Sequence, residues 1–255
     1  MTADDHRLAR DLAAETGKRL LTLRAGGGEP ASLRAAGDRL AHEYLMAEFA
    51  RLRPGDAVLS EEGKDDPARL SAERAWIVDP LDGTREYGEA GRTDWAVHVA
   101  LWEHGELTAG AVALPAQQET LSTAEPHAAR LAGPRAEPGN GQSRLRIVIS
   151  RSRPPAFVER LAESTGAELV PLGSAGAKVA TVVRGEVDAY VHAGGQYEWD
   201  SAAPVAVARA SGLHASRIDG SELTYNQARP WMPDLLVCRP ELTGLLLDAI
   251  GSASQ

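Results

Sequence analysis

The segment Trp76-Ile77-Val78-Asp79-Pro80-Leu81-Asp82-Gly83-Thr84 constrains this chain more than any other feature, because an apolar run leads straight into two carboxylates and a Gly-Thr step. Trp76 to Val78 reads as a buried strand bounded by Pro80, and a bend at Pro80 lets Asp79 and Asp82 converge instead of facing opposite sides. Two carboxylates and the Leu81 carbonyl freed by the turn are oxygen donors of the kind Mg²⁺ prefers. Gly83 and Thr84, opening a helix, present unpaired backbone N–H groups to an anion. Taken alone, the same string also describes a surface turn with two solvated acids.

Two further segments weigh against that plainer reading. Upstream, Ser60-Glu61-Glu62-Gly63 follows the apolar Ala57-Val58-Leu59, so a second strand ends in acid. Downstream, Glu198-Trp199-Asp200 opens an alanine- and valine-rich run from Ser201 to Ala210, which reads as a packed helix with an acid in its first turn. Three acid-bearing element ends, far apart in sequence, point to one assembled metal cluster.

The 255 residues, 43% of them hydrophobic, suffice for one large core or two abutting halves. A formal net charge of −9 argues against a nucleic-acid-binding surface. An anionic substrate can approach such an acidic site only after bound metal has neutralised it, so activity is expected to require a divalent cation. Cys238 is the only cysteine, which rules out an intrachain disulfide and a cysteine zinc site; beside Leu235, Leu236 and Val237 it reads as a core residue. The acidic start Met1-Thr2-Ala3-Asp4-Asp5 and the lack of any run of about 18 apolar residues indicate a cytoplasmic protein with no membrane contact.

Leu8, Leu12, Leu20 and Leu23 mark one amphipathic helix, and Leu40, Tyr44, Leu45, Phe49 and Leu52 a second that stops before Pro54-Gly55. From Val58 to Thr123 the pattern changes to strands, with 95–101 and 107–114 joined at Glu103-His104-Gly105 as a hairpin. The Gly-, Pro- and polar-rich stretch 133–143 is the best internal boundary, between an N-terminal half (1–132) and a C-terminal half (144–255). In the second half, strands at 145–149, 168–172 and 187–192 alternate with helices near 155–163, at 174–183, at Asp200 and near 240–250. The class is mixed α/β, antiparallel first and alternating afterwards.

With these pieces in order, the chain resembles the magnesium-dependent, lithium-sensitive phosphatase superfamily of inositol monophosphatases, fructose-1,6-bisphosphatases and 3′-phosphoadenosine 5′-phosphate (PAP) phosphatases. Its pattern is an Asp, then Glu-Glu, then D-P-[IL]-D-[GS]-T, then W-D followed after a gap by G-G. Here Asp38 is the leading Asp, and the other acids are Glu61, Asp79, Asp82 and Asp200. Gly212 is followed by Leu213 where the superfamily usually has a second glycine, a departure that touches a turn and not the chemistry. The resemblance spans roughly residues 4–238 and implies a five-layer αβαβα sandwich with the metal site between its halves.

It also implies roles. One Mg²⁺ takes Glu61, Asp79 and the Leu81 carbonyl, a second takes Asp79, Asp82 and Asp200, and a third, weaker ion leans on Glu61 through water. Thr84 passes a proton toward Asp38 while the Gly83 and Thr84 N–H groups hold phosphate oxygens. Without the resemblance, Asp38 is an exposed helical acid and Thr84 a helix cap. Inhibition by Li⁺ is expected in place of the second Mg²⁺, and a homodimer is an assembly the resemblance allows.

Three local segments bear on the branch. Arg85-Glu86-Tyr87 resembles the T-K-E-F continuation of PAP phosphatases, and Val148-Ile149-Ser150-Arg151-Ser152-Arg153 resembles their V-S-R-S-H, with Arg153 in place of the His. The acid that grips inositol hydroxyls in inositol monophosphatases is Ala193 here. The implied reaction is removal of the 3′-phosphate of PAP to give AMP, and of its sulfated precursor PAPS, in sulfate assimilation. Arg151 and Arg153 are expected on the second phosphate, Gly173, Ser174 and Lys178 in a substrate-contacting turn, and Tyr197 on a ribose or base. The plainer readings are solvated arginines, an ordinary strand-to-helix turn and a core aromatic. His98 and His192, in apolar strands, read as structural. The runner-up is an inositol monophosphatase or sugar bisphosphatase of relaxed specificity. A non-catalytic metal or nucleotide sensor is a different class, against which the joint presence of Asp38 and Thr84 argues.

Overall fold

Two long helices come first, α1 (Ala3–Ala25) and α2 (Pro30–Leu52). The second begins with Pro30 in its first turn and the Glu29 carboxylate accepting a hydrogen bond from Ser32 N at 3.0 Å. Their apolar stripes, with Leu12, Leu20, Leu45 and Phe49, pack on Trp76, Val78, Val97 and Val99 of the first sheet. The computed structural model describes residues 3–127 and 144–254, so the boundary expected at 133–143 lies outside the described residues.

The first sheet runs β1 (Ala57–Ser60), β2 (Arg74–Asp82), β3 (Ala96–Glu103), β4 (Glu106–Leu114), β5 (Glu119–Ser122), neighbours in that order. Only the β1–β2 pair is parallel. The hairpin expected at residues 103–105 forms, turning at His104 and Gly105 with φ of 50° and 96°. One expectation is corrected: β2 does not stop at Pro80. Asp79 pairs with His98 and Asp82 with Ala96, so β2 carries one extra residue between them. In a regular strand two residues three apart face opposite sides, and this bulge turns Asp79 and Asp82 to the same side. Proline, lacking a backbone N–H, is tolerated at such a bulge.

The second sheet has the order β7-β6-β8-β10-β9, built from β6 (Arg146–Ser150), β7 (Glu168–Leu172), β8 (Ala189–Tyr197), β9 (His214–Ser216) and β10 (Trp231–Cys238). β6 is parallel to β7 and β8, and the remaining pairs are antiparallel. β8 outruns its expected end at His192, and β9 and β10 were not expected. β10 is interrupted by Pro233-Asp234, where its register with β8 shifts.

Between the sheets lie α5 (Ala175–Val183) and α6 (Glu198–Ala210), whose small residues fill a core shared with both sheets. The outer face of the second sheet is covered by α4 (Val158–Thr165) and α7 (Thr243–Ala253) through Leu161, Leu246 and Ile250 against Ile147, Val191 and Leu236. The layers are therefore α1/α2, first sheet, α5/α6, second sheet, α4/α7: the five-layer αβαβα sandwich that was expected. Cys238 sits in that last core, and burial pushes its thiol up to about 11, as befits a packing residue.

The first sheet and the inner helix layer approach closely at Gly110 on β4, where a Cβ would lie 2.6 Å from Ala206 Cβ of α6. Gly110→Ala should therefore overpack this contact and cost about 1–3 kcal/mol, read as a lower urea midpoint at unchanged slope.

Candidate active site

The acid-bearing ends of β2 and α6 meet where the inner helix layer begins. Asp79 and Asp82 come from the β2 bulge and Asp200 from the first turn of α6, and their carboxylate oxygens lie within 4.8 Å of one another. Backbone groups aim each one. Asp79 Oδ1 accepts from Leu81 N at 3.0 Å, and Asp200 Oδ2 reaches back to accept from Tyr197 N at 2.6 Å. Asp82 Oδ2 accepts from Ser174 Oγ at 2.6 Å and from Gly176 N at 2.8 Å at the start of α5. Position 176 is closed to any side chain, since a Cβ there would lie 2.2 Å from His98 Nε2.

The charges are unbalanced. Burial first, then the neighbouring carboxylates of Glu61, Asp82 and Asp200, raises Asp79 well above the usual carboxylate range. Burial and Asp82 push Asp200 up to about 6, and burial and Asp200 push Glu61 up to about 7. Asp82 is the exception: burial would raise it, but His98 and Lys178 hold it low. His98 Nδ1 lies 3.1 Å from the Trp199 carbonyl, while Nε2 lies 3.2 Å from Asp82 Oδ2. Burial alone would lower the His98 pKa, and the Asp82 charge overrides it and raises it. Packed oxygen donors short of positive charge, with no sulfur among them, fit a hard divalent cation.

Asp79, Asp82 and Asp200 line a cavity of about 290 Å³ together with Glu61, Leu81, Gly83, Thr84, Arg153, Gly173, Ser174 and Lys178. Glu61 stands outside the tight triplet. Gly83 adopts the left-handed conformation, φ 84°, that starts the short helix α3 (Thr84–Gly88). Asp38 approaches from α2 behind this turn: the Thr84 hydroxyl lies 3.2 Å from Asp38 Oδ1 and 3.0 Å from the Leu81 carbonyl. Burial, then the charge of Glu62, pushes Asp38 up to about 6.

Two expected substrate residues are not among the lining. Arg151 Nε donates to Glu86 at 2.6 Å and its Nη2 to Glu89 at 2.7 Å, so its guanidinium is spent on the α3 turn. Tyr197 is 47% exposed and stacks on Trp199, ring centroids 4.7 Å apart. Lys178 is buried, donates to the Gly173 carbonyl and lies 5.2 Å over the Tyr190 ring; burial lowers its pKa to about 8 despite Asp82 and Asp200.

Tyr190, which the sequence also offered as a ribose or base contact, lines the cavity, as do residues not expected there: Glu86, Ser150, Ser152, His192 and Gln196. His192 was read as a satisfied structural histidine. Its Nε2 lies 3.0 Å from the Gly195 carbonyl, but the buried Nδ1 has no partner among the described residues. Arg153 and His192 also border a second hollow of about 360 Å³, with Pro154, Ala156, Phe157 and residues 193–195. The sequence signal for it was the Gly194-Gly195 pair, at φ of 102° and 93°, which keeps that wall free of side chains.

The profile of the inositol monophosphatase family matches residues 6–254. The 3′-phosphoadenosine 5′-phosphate phosphatase of Mycobacterium leprae (strain TN) is 49% identical over 262 residues, covering 98% of this chain and 95% of that one. The chain belongs to the inositol monophosphatase family. The 3′(2′),5′-bisphosphate nucleotidase CysQ of Escherichia coli (strain K12) is 33% identical, covering 74% of this chain and 78% of that one. Among solved structures, CysQ from Bacteroides thetaiotaomicron, a bacterial member of the family, superposes with a TM-score of 0.75 at 26% identity, covering 92% of this chain and 97% of that one. The family generally uses Mg²⁺, and the acidic cluster is in place for it. Among the described residues no helix is long and apolar enough to cross a membrane.

Carboxyls whose folded pKa lies above the unfolded one stabilise the fold while protonated, and that stability is lost as pH rises through the folded values, near 6 for Asp200 and near 7 for Glu61. In EDTA the protein should therefore melt higher at pH 5 than at pH 8. Asp79→Asn, which mimics the protonated acid, should raise the pH 8 melting temperature by about 2–4 °C and leave the pH 5 value nearly unchanged, as read by calorimetry.

Proposed function

We propose that the chain is a Mg²⁺-dependent phosphomonoesterase that removes the 3′-phosphate of PAP to give AMP, a 3′(2′),5′-bisphosphate nucleotidase. The observation that carries this reading is one cavity lined both by the carboxylate triplet and by Arg153, whose guanidinium is not claimed by Glu86 and Glu89 as that of Arg151 is. A substrate with a single phosphate needs only the carboxylate cluster; a bisphosphate also uses the arginine. The names of the relatives at 49% and 33% identity support the same reading. Ala193, where an inositol enzyme keeps an acid, disfavours the inositol alternative.

Glu61, Asp79, the Leu81 carbonyl, Asp82 and Asp200 would hold the Mg²⁺, two or three ions in all. When bound, Mg²⁺ supplies positive charge for the transferring phosphoryl group and lowers the pKa of the attacking water. The chain's own residues do the rest. The Thr84 hydroxyl accepts the water's proton and hands its own to Asp38, whose raised pKa suits a proton acceptor working near neutrality. The N–H groups of Gly83 and Thr84 hold phosphate oxygens, and Gly173 and Ser174 close the wall beside them. Arg153 takes the 5′-phosphate by charge-assisted hydrogen bonds, and Lys178, close to Asp82 and Asp200, adds positive charge at the carboxylate cluster. The neighbouring hollow, mostly apolar and sharing Arg153 and His192, suits the base, and Tyr197 stays at the surface. Arg151 sets the α3 turn through Glu86 and Glu89 instead of meeting substrate. PAPS is a second substrate of the same shape, and a cytoplasmic place in sulfate assimilation follows from this reaction.

Arg153→Ala should lower kcat/KM for PAP about 10- to 100-fold, the range of a lost charge-assisted contact, and barely change the rate on inositol 1-phosphate. Equal losses on both substrates would detach Arg153 from the second phosphate. LiCl at tens of millimolar, an order of magnitude suited to a hard-cation oxygen site, should inhibit in a manner that added PAP does not relieve. Full activity there would count against the Li⁺-sensitive site.

A further inference from the structure

Glu61 and Asp200 reach the cavity from segments that share no strand pairing, and a buried polar chain ties those segments together away from the cavity. Arg69 lies in the short 3₁₀ turn Pro67–Ser71 that follows the Glu61 loop and is only 1% exposed. Its Nε and Nη2 donate to the two Asp65 oxygens at 2.6 and 3.0 Å, its Nη2 also to the Gln227 carbonyl at 2.9 Å, and its Nη1 to Asn226 Oδ1 at 2.7 Å. Asn226 Nδ2 returns a bond to the Arg69 carbonyl at 3.1 Å. On the other side, the Asn226 and Gln227 N–H groups donate to the buried Glu198 carboxylate at 2.6 and 2.8 Å, and Glu198 N donates to the Pro230 carbonyl at 2.9 Å. Glu198 stands two residues before Asp200 in the same helical turn.

We infer that Asn226 is a positioning residue for the metal cluster: through Arg69 and Glu198 it fixes the Glu61 loop against the first turn of α6. It touches neither cavity. Its own backbone is held at φ 59°, a conformation that asparagine tolerates and glycine adopts freely. Asn226 therefore serves as a joint with two side-chain bonds on one segment and one backbone bond on the other. This rests on the Mg²⁺ reading above, because it concerns how donors for that ion are spaced.

The test uses Mn²⁺ as the probe, its binding followed by electron paramagnetic resonance on the full chain, alongside the melting temperature in EDTA. Asn226→Gly keeps the backbone conformation and the bonds to Glu198 and removes those to Arg69. It should weaken Mn²⁺ binding about tenfold, the lower edge of what outer ligand-orienting partners contribute. Glu198→Gln, which keeps the shape but leaves a single acceptor oxygen where two backbone N–H groups donate, should do the same. Gly17→Ala on α1, where a Cβ would lie 2.5 Å from Pro115 Cγ, is destabilising but away from α6; it is the control and should leave the Mn²⁺ affinity unchanged. Unaltered Mn²⁺ affinity in both joint variants would overturn the inference, as would an equal loss in the Gly17→Ala control. Absence of Mn²⁺ binding by the unmodified chain would instead remove the metal reading itself.

Discussion

Three carboxylates held within 4.8 Å of one another, two of them almost wholly buried, repel each other and have lost most of their hydration. Such a cluster is unfavourable unless cations or protons offset it, and the surrounding structure is arranged around that demand. The β2 bulge turns two acids to one side, α6 brings the third by its first turn, and α5 offers Asp82 an N–H and a hydroxyl. His98 and Lys178 offset the Asp82 charge enough to hold it low, and leave Asp79, Asp200 and Glu61 raised. The remaining deficit, at Asp79, Asp200 and Glu61, is what makes the site a receptor for a divalent ion instead of a closed salt-bridge network.

Much of this was legible in the sequence because the relevant signals are local. Acids at the ends of apolar runs, a Pro between two Asp residues and an Ala/Val helix behind Glu198-Trp199-Asp200 are short-range patterns, and the αβαβα layering followed from the family pattern they compose. What was not legible depends on pairing. Nothing in the string Asp79-Pro80-Leu81-Asp82 distinguishes a strand that ends at Pro80 from one that bulges through it; only the partner positions His98 and Ala96 decide. β10 escaped notice because Pro233-Asp234 interrupts its apolar alternation.

The misplaced arginine has the same origin. Arg151 and Arg153 stand two apart on one loop, and their sequence context gives no reason to separate them. The structure separates them by what lies opposite: Glu86 and Glu89 claim Arg151, while Arg153 is left to the cavity and the adjoining hollow. Likewise His192 looks like a core histidine in an apolar run until β8 is seen to extend past it and carry Gln196 and Gly195 to the same wall. The wall of the cavity is thus completed by second-half elements laid against a carboxylate cluster built by β2 and α6.

The central claim is that the carboxylate cluster carries protons until metal replaces them. Calorimetric titration of Mg²⁺ into the metal-free protein at pH 6.5, in two buffers of different ionisation enthalpy, measures the protons released on binding. Release of protons at pH 6.5, falling off above pH 8 and absent in Asp79→Asn/Asp200→Asn, is the result expected. Mg²⁺ binding with no proton release at pH 6.5 would contradict the account, because it would mean that the cluster is fully ionised without its cation.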